Sequence, residues 1–352
     1  MINFIKMDKG LLFVALLMVN IESAYSIDYT KPMPEREFAF HSSVVKSQSC
    51  FEGIFGDYNM WRNALTARAG VSEKSFLEKF PYTLYQDFKE NLSCFNIIYK
   101  VDDYLVKGIV IFPKRETISQ LPAIIYNRGG NNTKVHTLKF GDLFATLFPL
   151  AKSGHVVIAS QYGGAMLWSK GNKQINGGID EFGGQELQDV FALLPILDAM
   201  PNVNSQRVGM MGWSRGSMMT LLAVKESARI KSIVLGGSAV DLVSVAKERP
   251  VFERKVLERL IPNYKENRKL ELRQRSATYW PEKIPKSTSI LMLHGERDTA
   301  TKLEYAKLFY EKLKNNGVKQ IEFITYPNGS HSLREYQDEV TNTVINWFAD
   351  TL

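Results

Sequence analysis

The sequence predicts an α/β protein, a mostly parallel sheet with helices on both faces. Short apolar runs rich in β-branched residues recur along the chain, and helical patterns alternate with them. The runs are near-continuously apolar, as strands covered on both faces must be. The length of 352 residues, with 45% hydrophobic and 23% charged side chains, suits one large globular domain or one domain with a small addition.

The first segment reads as a leader. Lys6 and Lys9 precede an uncharged run from Gly10 to Ile21, and small residues follow at Ala24 and Ser26. This is the layout of a secretory signal peptide covering residues 1–26, with cleavage after Ser26. The apolar run is too short to span a bilayer comfortably, and no later run is long enough. The expectation is a secreted or periplasmic protein with no stable membrane insertion after cleavage. Residues 27–94 read as an extended lead-in with Pro32 and Pro34, then a small, mostly helical element that includes Asn59–Leu65.

From residue 95 to 352 the pattern is that of the main domain. Phe95–Tyr99 and Leu105–Phe112 flank Asp102 and Asp103, which reads as a β-hairpin. Further strand candidates are Ala123–Tyr126, His155–Ala159, Arg207–Met211, Ile230–Leu235, Ser289–Leu293 and Ile321–Tyr326. Leu187–Met200 and Ser214–Ser227 carry helical patterns between them. A charged stretch at about 240–285, with Pro250 and Pro262, interrupts the alternation. It reads as helices lying over the carboxyl ends of the strands, where such sheets bind ligands.

Composition excludes several classes. The formal net charge of +7 is spread over 44 basic and 37 acidic residues, with no basic stripe interleaved with aromatics, so nucleic acid is not an expected partner. Only two cysteines occur, Cys50 and Cys94, too few for a thiolate zinc or iron–sulfur site. In an exported chain they are compatible with one disulfide or with two separate buried thiols. No ligand cluster with metal spacing is present, and no cofactor is implied.

The chemistry-bearing motif is Gly212-Trp213-Ser214-Arg215-Gly216, set between a strand candidate and a helical run. A sharp strand-to-helix turn needs glycines where side chains would meet backbone, and it leaves the serine hydroxyl above the sheet. This is the nucleophile elbow of the α/β-hydrolase fold, whose partners follow in the order serine, acid, histidine. Of the five histidines, His41, His136 and His155 come too early, and His294 ends a strand. His331 lies in the turn-rich Pro327-Asn328-Gly329-Ser330 loop after the last strand and is the expected general base. Asp298 and Glu296 both follow the preceding strand, and Asp298 is the preferred acid, holding the histidine tautomer. Oxyanion donors are expected at Arg215, next to the nucleophile, and in the loop Asn127-Arg128-Gly129-Gly130-Asn131. Trp213 is a candidate substrate contact. The small-molecule partner is then a short peptide or an ester. A binding protein that merely kept the shape has no need of all three catalytic residues.

Together, Tyr126–Gly130, Gly177–Gly184, the elbow, His294–Asp298 and Gly329–His331 resemble the catalytic domain of the prolyl oligopeptidase family. The resemblance covers about residue 95 to the C-terminus. It implies a serine-type peptidase with Ser214, Asp298 and His331 as its triad; a carboxylesterase is the alternative. Two departures stand out. The N-terminal part leaves no room for the β-propeller of the family, and so for the amine-binding acids it carries. Arg128 stands where some members have an oxyanion-stabilising tyrosine. Arg128 is therefore expected to bind an anionic or carbonyl-rich part of the substrate, to stabilise the oxyanion, or only to cover the loop.

Overall fold

The structure is a computed structural model that describes residues 40–68, 70–114, 120–131, 136–164 and 177–352. The predicted leader and most of the lead-in lie outside the described residues.

The chain builds one nine-stranded sheet in the order β1-β2-β3-β5-β4-β6-β7-β8-β9. The strands are β1 Val44–Ser49, β2 Leu92–Val101, β3 Tyr104–Pro113, β4 Leu121–Asn127 and β5 Val156–Ser160. They continue with β6 Val203–Trp213, β7 Ile230–Gly236, β8 Ser289–Gly295 and β9 Ile321–Tyr326. β1, β2, β3 and β5 pair antiparallel, and from β5 through β4 to β9 every pairing is parallel. The inner strands explain the apolar runs: every residue of β5 and β8 is buried, because helices cover both faces. The two apolar layers contain Phe309, Ile125 and Met219 on one side, and Phe348, Ile124 and Phe148 on the other.

The N-terminal element is mostly helical, as expected, with one addition. It holds helices α1 Tyr58–Arg68, α2 Glu73–Lys79 and α3 Tyr82–Asn91, but it also supplies the edge strand β1. That strand is Val-Val-Lys-Ser-Gln-Ser, half-buried along most of its length. An edge strand needs little apolar character, so its pattern is weak in sequence. Ser72 caps α2 by accepting the Ser75 amide at 3.2 Å. The aromatic residues of this element pack on one another and on the helical turns Phe140–Asp142 and Leu143–Leu147. Trp61 meets Phe140 edge-on at 4.8 Å, and Phe55 stacks on Phe140 at 4.5 Å. A Cys50–Cys94 disulfide ties the end of β1 to β2.

Between β7 and β8 the chain forms α4 Leu242–Glu248 and α5 Tyr264–Gln274, with shorter helical turns around them. Leu242, Val245 and Phe252 of this stretch reach the same cleft as Ser214, at the carboxyl end of the parallel strands.

Candidate active site

Ser214 stands alone between β6 and the helix Arg215–Glu226, with φ 56° and ψ −121°. A positive φ is strained for a residue with a side chain, and persists only where the surroundings enforce it. Here they do. A Cβ on Gly216 would lie 1.9 Å from the Asn127 carbonyl oxygen, and one on Gly212 would lie 2.1 Å from that of Gly216. The turn is therefore tighter than any side chain allows. The Ser214 amide donates to the Gly236 carbonyl at 2.8 Å, latching the elbow to β7. Arg215 is the first helical residue, so its N–H has no carbonyl within the helix. Gly129 lies across from it, and a Cβ there would be 3.5 Å from Ser214 Cβ.

Asp298 and His331 come from the loops after β8 and β9. His331 Nδ1 and Asp298 Oδ2 are 2.7 Å apart. The other carboxylate oxygen accepts the backbone amides of Ala300 at 2.8 Å and Thr301 at 2.9 Å. Burial alone would raise the Asp298 carboxyl, but the hydrogen bonds from His331 and Thr301 outweigh it and hold the group below its ordinary range. Glu296 is exposed and accepts a bond from the Thr325 hydroxyl at 3.2 Å, away from His331. The Trp213 indole donates to the His331 carbonyl at 2.7 Å, so the residue before Ser214 also braces the histidine loop.

His294 is buried against Asp298 rather than beside Ser214. Its Nε2 is 2.8 Å from the Thr301 carbonyl and 3.4 Å from Asp298 Oδ2. Burial pushes this imidazole below its usual range, so it is neutral near pH 7. Its Nε2 then carries the hydrogen, because a carbonyl can only accept.

The guanidinium groups of both arginines are buried and held by protein partners. The Arg128 side chain is 2% exposed and does not line the cleft. Its Nε and Nη2 donate to the Gln161 carbonyl at 3.1 and 2.7 Å, and Nη1 donates to the Gly129 carbonyl at 3.0 Å. The guanidinium stacks 4.6 Å from the Tyr162 ring. Burial, with Arg215 nearby, pulls it down to about 10, which leaves it charged at neutral pH. The side chain braces the loop from inside, held by carbonyl acceptors and an aromatic face. Arg215 is equally buried. It pairs with Asp180 at 2.6 and 3.0 Å and with Glu186 at 2.6 Å. Burial would lower this guanidinium, but the two carboxylates more than offset it. Glu186 also accepts the amides of Glu181 and Gly184 at 3.1 and 3.2 Å, so the ion pair holds the glycine-rich 177–184 segment beside the elbow. Asp180 and Glu186 lie in or just beyond a segment the sequence singled out, but their pairing with Arg215 is a tertiary fact.

Ser214, His331, Gly129, Gly130 and Trp213 share a cleft of about 1720 Å³. One wall carries Leu242, Val245 and Phe252, and another carries Phe55, Trp61 and Phe80 of the N-terminal element. Among the described residues no group of three His, Cys, Asp or Glu side chains is arranged to hold a metal ion. No described helix is long and apolar enough to cross a membrane.

A mostly parallel sheet with a strained serine at a glycine-bounded strand-to-helix turn defines an α/β-hydrolase. The chain belongs to the prolyl oligopeptidase family, which residues 142–352 match, and it is a serine-type hydrolase. The uncharacterized peptidase YtmA of Bacillus subtilis is 27% identical over 226 residues, covering 64% of this chain and 81% of that protein. Dipeptidyl-peptidase 5 of Porphyromonas gingivalis is 25% identical over 251 residues, but the chain spans only 35% of its length. Among solved structures, the acylaminoacyl peptidase of Pyrococcus horikoshii superposes with a TM-score of 0.61 at 19% identity, over 76% of this chain and 43% of that one. The described residues form one continuous sheet, with no separate propeller domain.

Proposed function

We propose that the protein is a serine peptidase that cleaves short peptides through an acyl-enzyme. Ser214 is the nucleophile, His331 the general base and Asp298 its partner. The observation that carries this reading is the 2.7 Å pair of His331 and Asp298 in the cleft that Ser214 lines. His331 takes the Ser214 proton as the hydroxyl oxygen attacks the scissile carbonyl carbon. The backbone amides of Arg215 and Gly129 meet the oxyanion; each such donor is worth roughly 3 kcal/mol in the transition state. His331 then gives its proton to the leaving amine as the carbon–nitrogen bond breaks. A water molecule, deprotonated by His331, releases the acyl group and restores Ser214. The family and the peptidases it resembles support peptides as substrates. The disulfide supports export to an oxidising compartment, secreted or periplasmic.

A fluorophosphonate probe tests the nucleophile. Intact mass should show one adduct on the wild type and none on Ser214→Ala; an equal adduct on the variant rejects the assignment. A matched panel of aminoacyl amides and acyl esters tests the substrate. Turnover of amides supports the peptidase, and turnover of esters alone makes the protein a carboxylesterase.

A further inference from the structure

Asp298 Oδ2 receives more than the histidine. The Thr301 hydroxyl lies 2.9 Å from it, 3.0 Å from the Gly237 carbonyl oxygen and 3.5 Å from His331 Nδ1. The same residue gives its amide to Asp298 Oδ1 and its carbonyl to His294. Thr301 is thus fixed at three points, and the residue is 5% exposed. A hydroxyl has one hydrogen, while an ionised carboxylate and a carbonyl can only accept. Two acceptors therefore compete for one proton beside the acid.

We propose that Thr301 is a positioning residue whose hydroxyl sets the basicity of His331 by switching its single hydrogen between Asp298 and Gly237. The proposal rests on the roles assigned above to Ser214, Asp298 and His331. When His331 is neutral, the Asp298 charge is uncompensated and attracts the hydroxyl hydrogen. When His331 takes the Ser214 proton, the imidazolium neutralises that charge, and the hydroxyl hydrogen turns to the Gly237 carbonyl. The Thr301 bond to Asp298 is thus strongest in the neutral-histidine state. It makes protonation of His331 harder and keeps the base free at lower pH. No bond between heavy atoms changes and no proton leaves Thr301; only its rotor moves. The other charged groups around this centre are tied elsewhere or stand apart. Arg249 donates to the Ala300 carbonyl at 3.1 Å, Lys302 pairs with Glu248 at 2.7 Å, and Glu335 accepts from Ser330 at 3.0 Å. Glu304 acts on His294, Glu296 meets Thr325, and Arg334 lies beyond the histidine loop at the cleft. The neutral His294 imidazole holds the Thr301 carbonyl and leaves the hydroxyl free to rotate.

The test is the acidic limb of the kcat/KM–pH profile, which reports the base of the free enzyme. Thr301→Val keeps the shape, the backbone amide and the carbonyl, and replaces the switching hydroxyl with a methyl group. Its limb should move up by about half to one pH unit, the scale of one charge-assisted hydrogen bond shared between two states. Thr301→Ser should keep the wild-type limb, because the hydroxyl returns. Thr301→Ala is read in the same way if the valine variant does not fold. An unmoved limb in both hydroxyl-less variants overturns the proposal, and so does a serine variant that shifts like valine, since packing would then be the cause. Ser214→Ala run alongside separates the failures. If it is inactive while the limb stays fixed, the catalytic reading stands and the Thr301 switch is wrong; if it retains full activity, the catalytic reading itself is wrong.

Discussion

At the scale of single residues, two carboxylates carry sharp consequences. Asp298 contacts His331 and Glu296 does not, so their isosteric variants should part company. Asp298→Asn should lower kcat by about a thousandfold or more, because an amide can hold the wrong imidazole tautomer. Glu296→Gln should stay within about twofold, as for a surface substitution. Steady-state kinetics on one substrate decides this, and the opposite ranking moves the acid role to Glu296. Asp189 offers a second prediction. It is buried, accepts the Tyr104 hydroxyl at 2.7 Å and the Gly163 amide at 2.6 Å, and burial pushes it up to about 7. Its folded value lies above its unfolded one, so the native state binds more protons between about pH 4 and 7. Stability from this group is present at acid pH and is lost as pH rises through 7. Asp189→Asn can keep both contacts by turning its amide, and it should flatten that part of the stability curve. Melting temperatures from pH 5 to 8 check this; an equal slope in both proteins rejects it.

At the scale of elements, the elbow shows why some of the site was legible and some was not. Gly212 and Gly216 are local requirements of the turn itself, so the motif stands in the sequence and the structure finds the space closed around both. Gly216→Ala should be insoluble or melt far below the wild type, since its methyl group would meet the Asn127 carbonyl on rigid β4 rather than a yielding side chain. A normal melt with normal activity would contradict that. The buried strands were equally plain, because apolar runs report burial on both faces. The edge strand β1 was hidden, since one half-buried face leaves polar residues free to vary. The fates of Arg128 and Arg215 were hidden for another reason. An arginine in a glycine-rich loop looks the same in sequence whether it faces a substrate or a buried carbonyl, and only the fold brings Gln161, Asp180 and Glu186 to them. Thr301 was overlooked because its hydroxyl matters only through Gly237 and Asp298, which lie 64 and 3 residues away in sequence.

At the scale of the whole molecule, the N-terminal element completes a cleft that the α/β sheet alone leaves open. Phe55, Trp61 and Phe80 line it, and the Cys50–Cys94 bridge holds the segment that carries Phe55. The bridge spans a sequence separation of 44. Replacing both cysteines by serine should cost about 2–4 kcal/mol of stability, read as a lower urea midpoint. An unchanged midpoint would mean that the noncovalent contacts secure the wall without the bridge. Kinetic consequences follow from the same bridge. Ser49, Cys50 and Glu52–Phe55 border the cleft, so a reduced molecule presents a substrate with a wall anchored by ring contacts and a few hydrogen bonds, such as that from the Tyr85 hydroxyl to the Phe55 carbonyl, without the covalent tie. Material made in a reducing host cytoplasm and material folded under oxidising conditions are therefore two preparations with one sequence. Rate constants gathered on the first describe an unlatched enzyme, and the thiol content of a sample belongs beside every number measured on it.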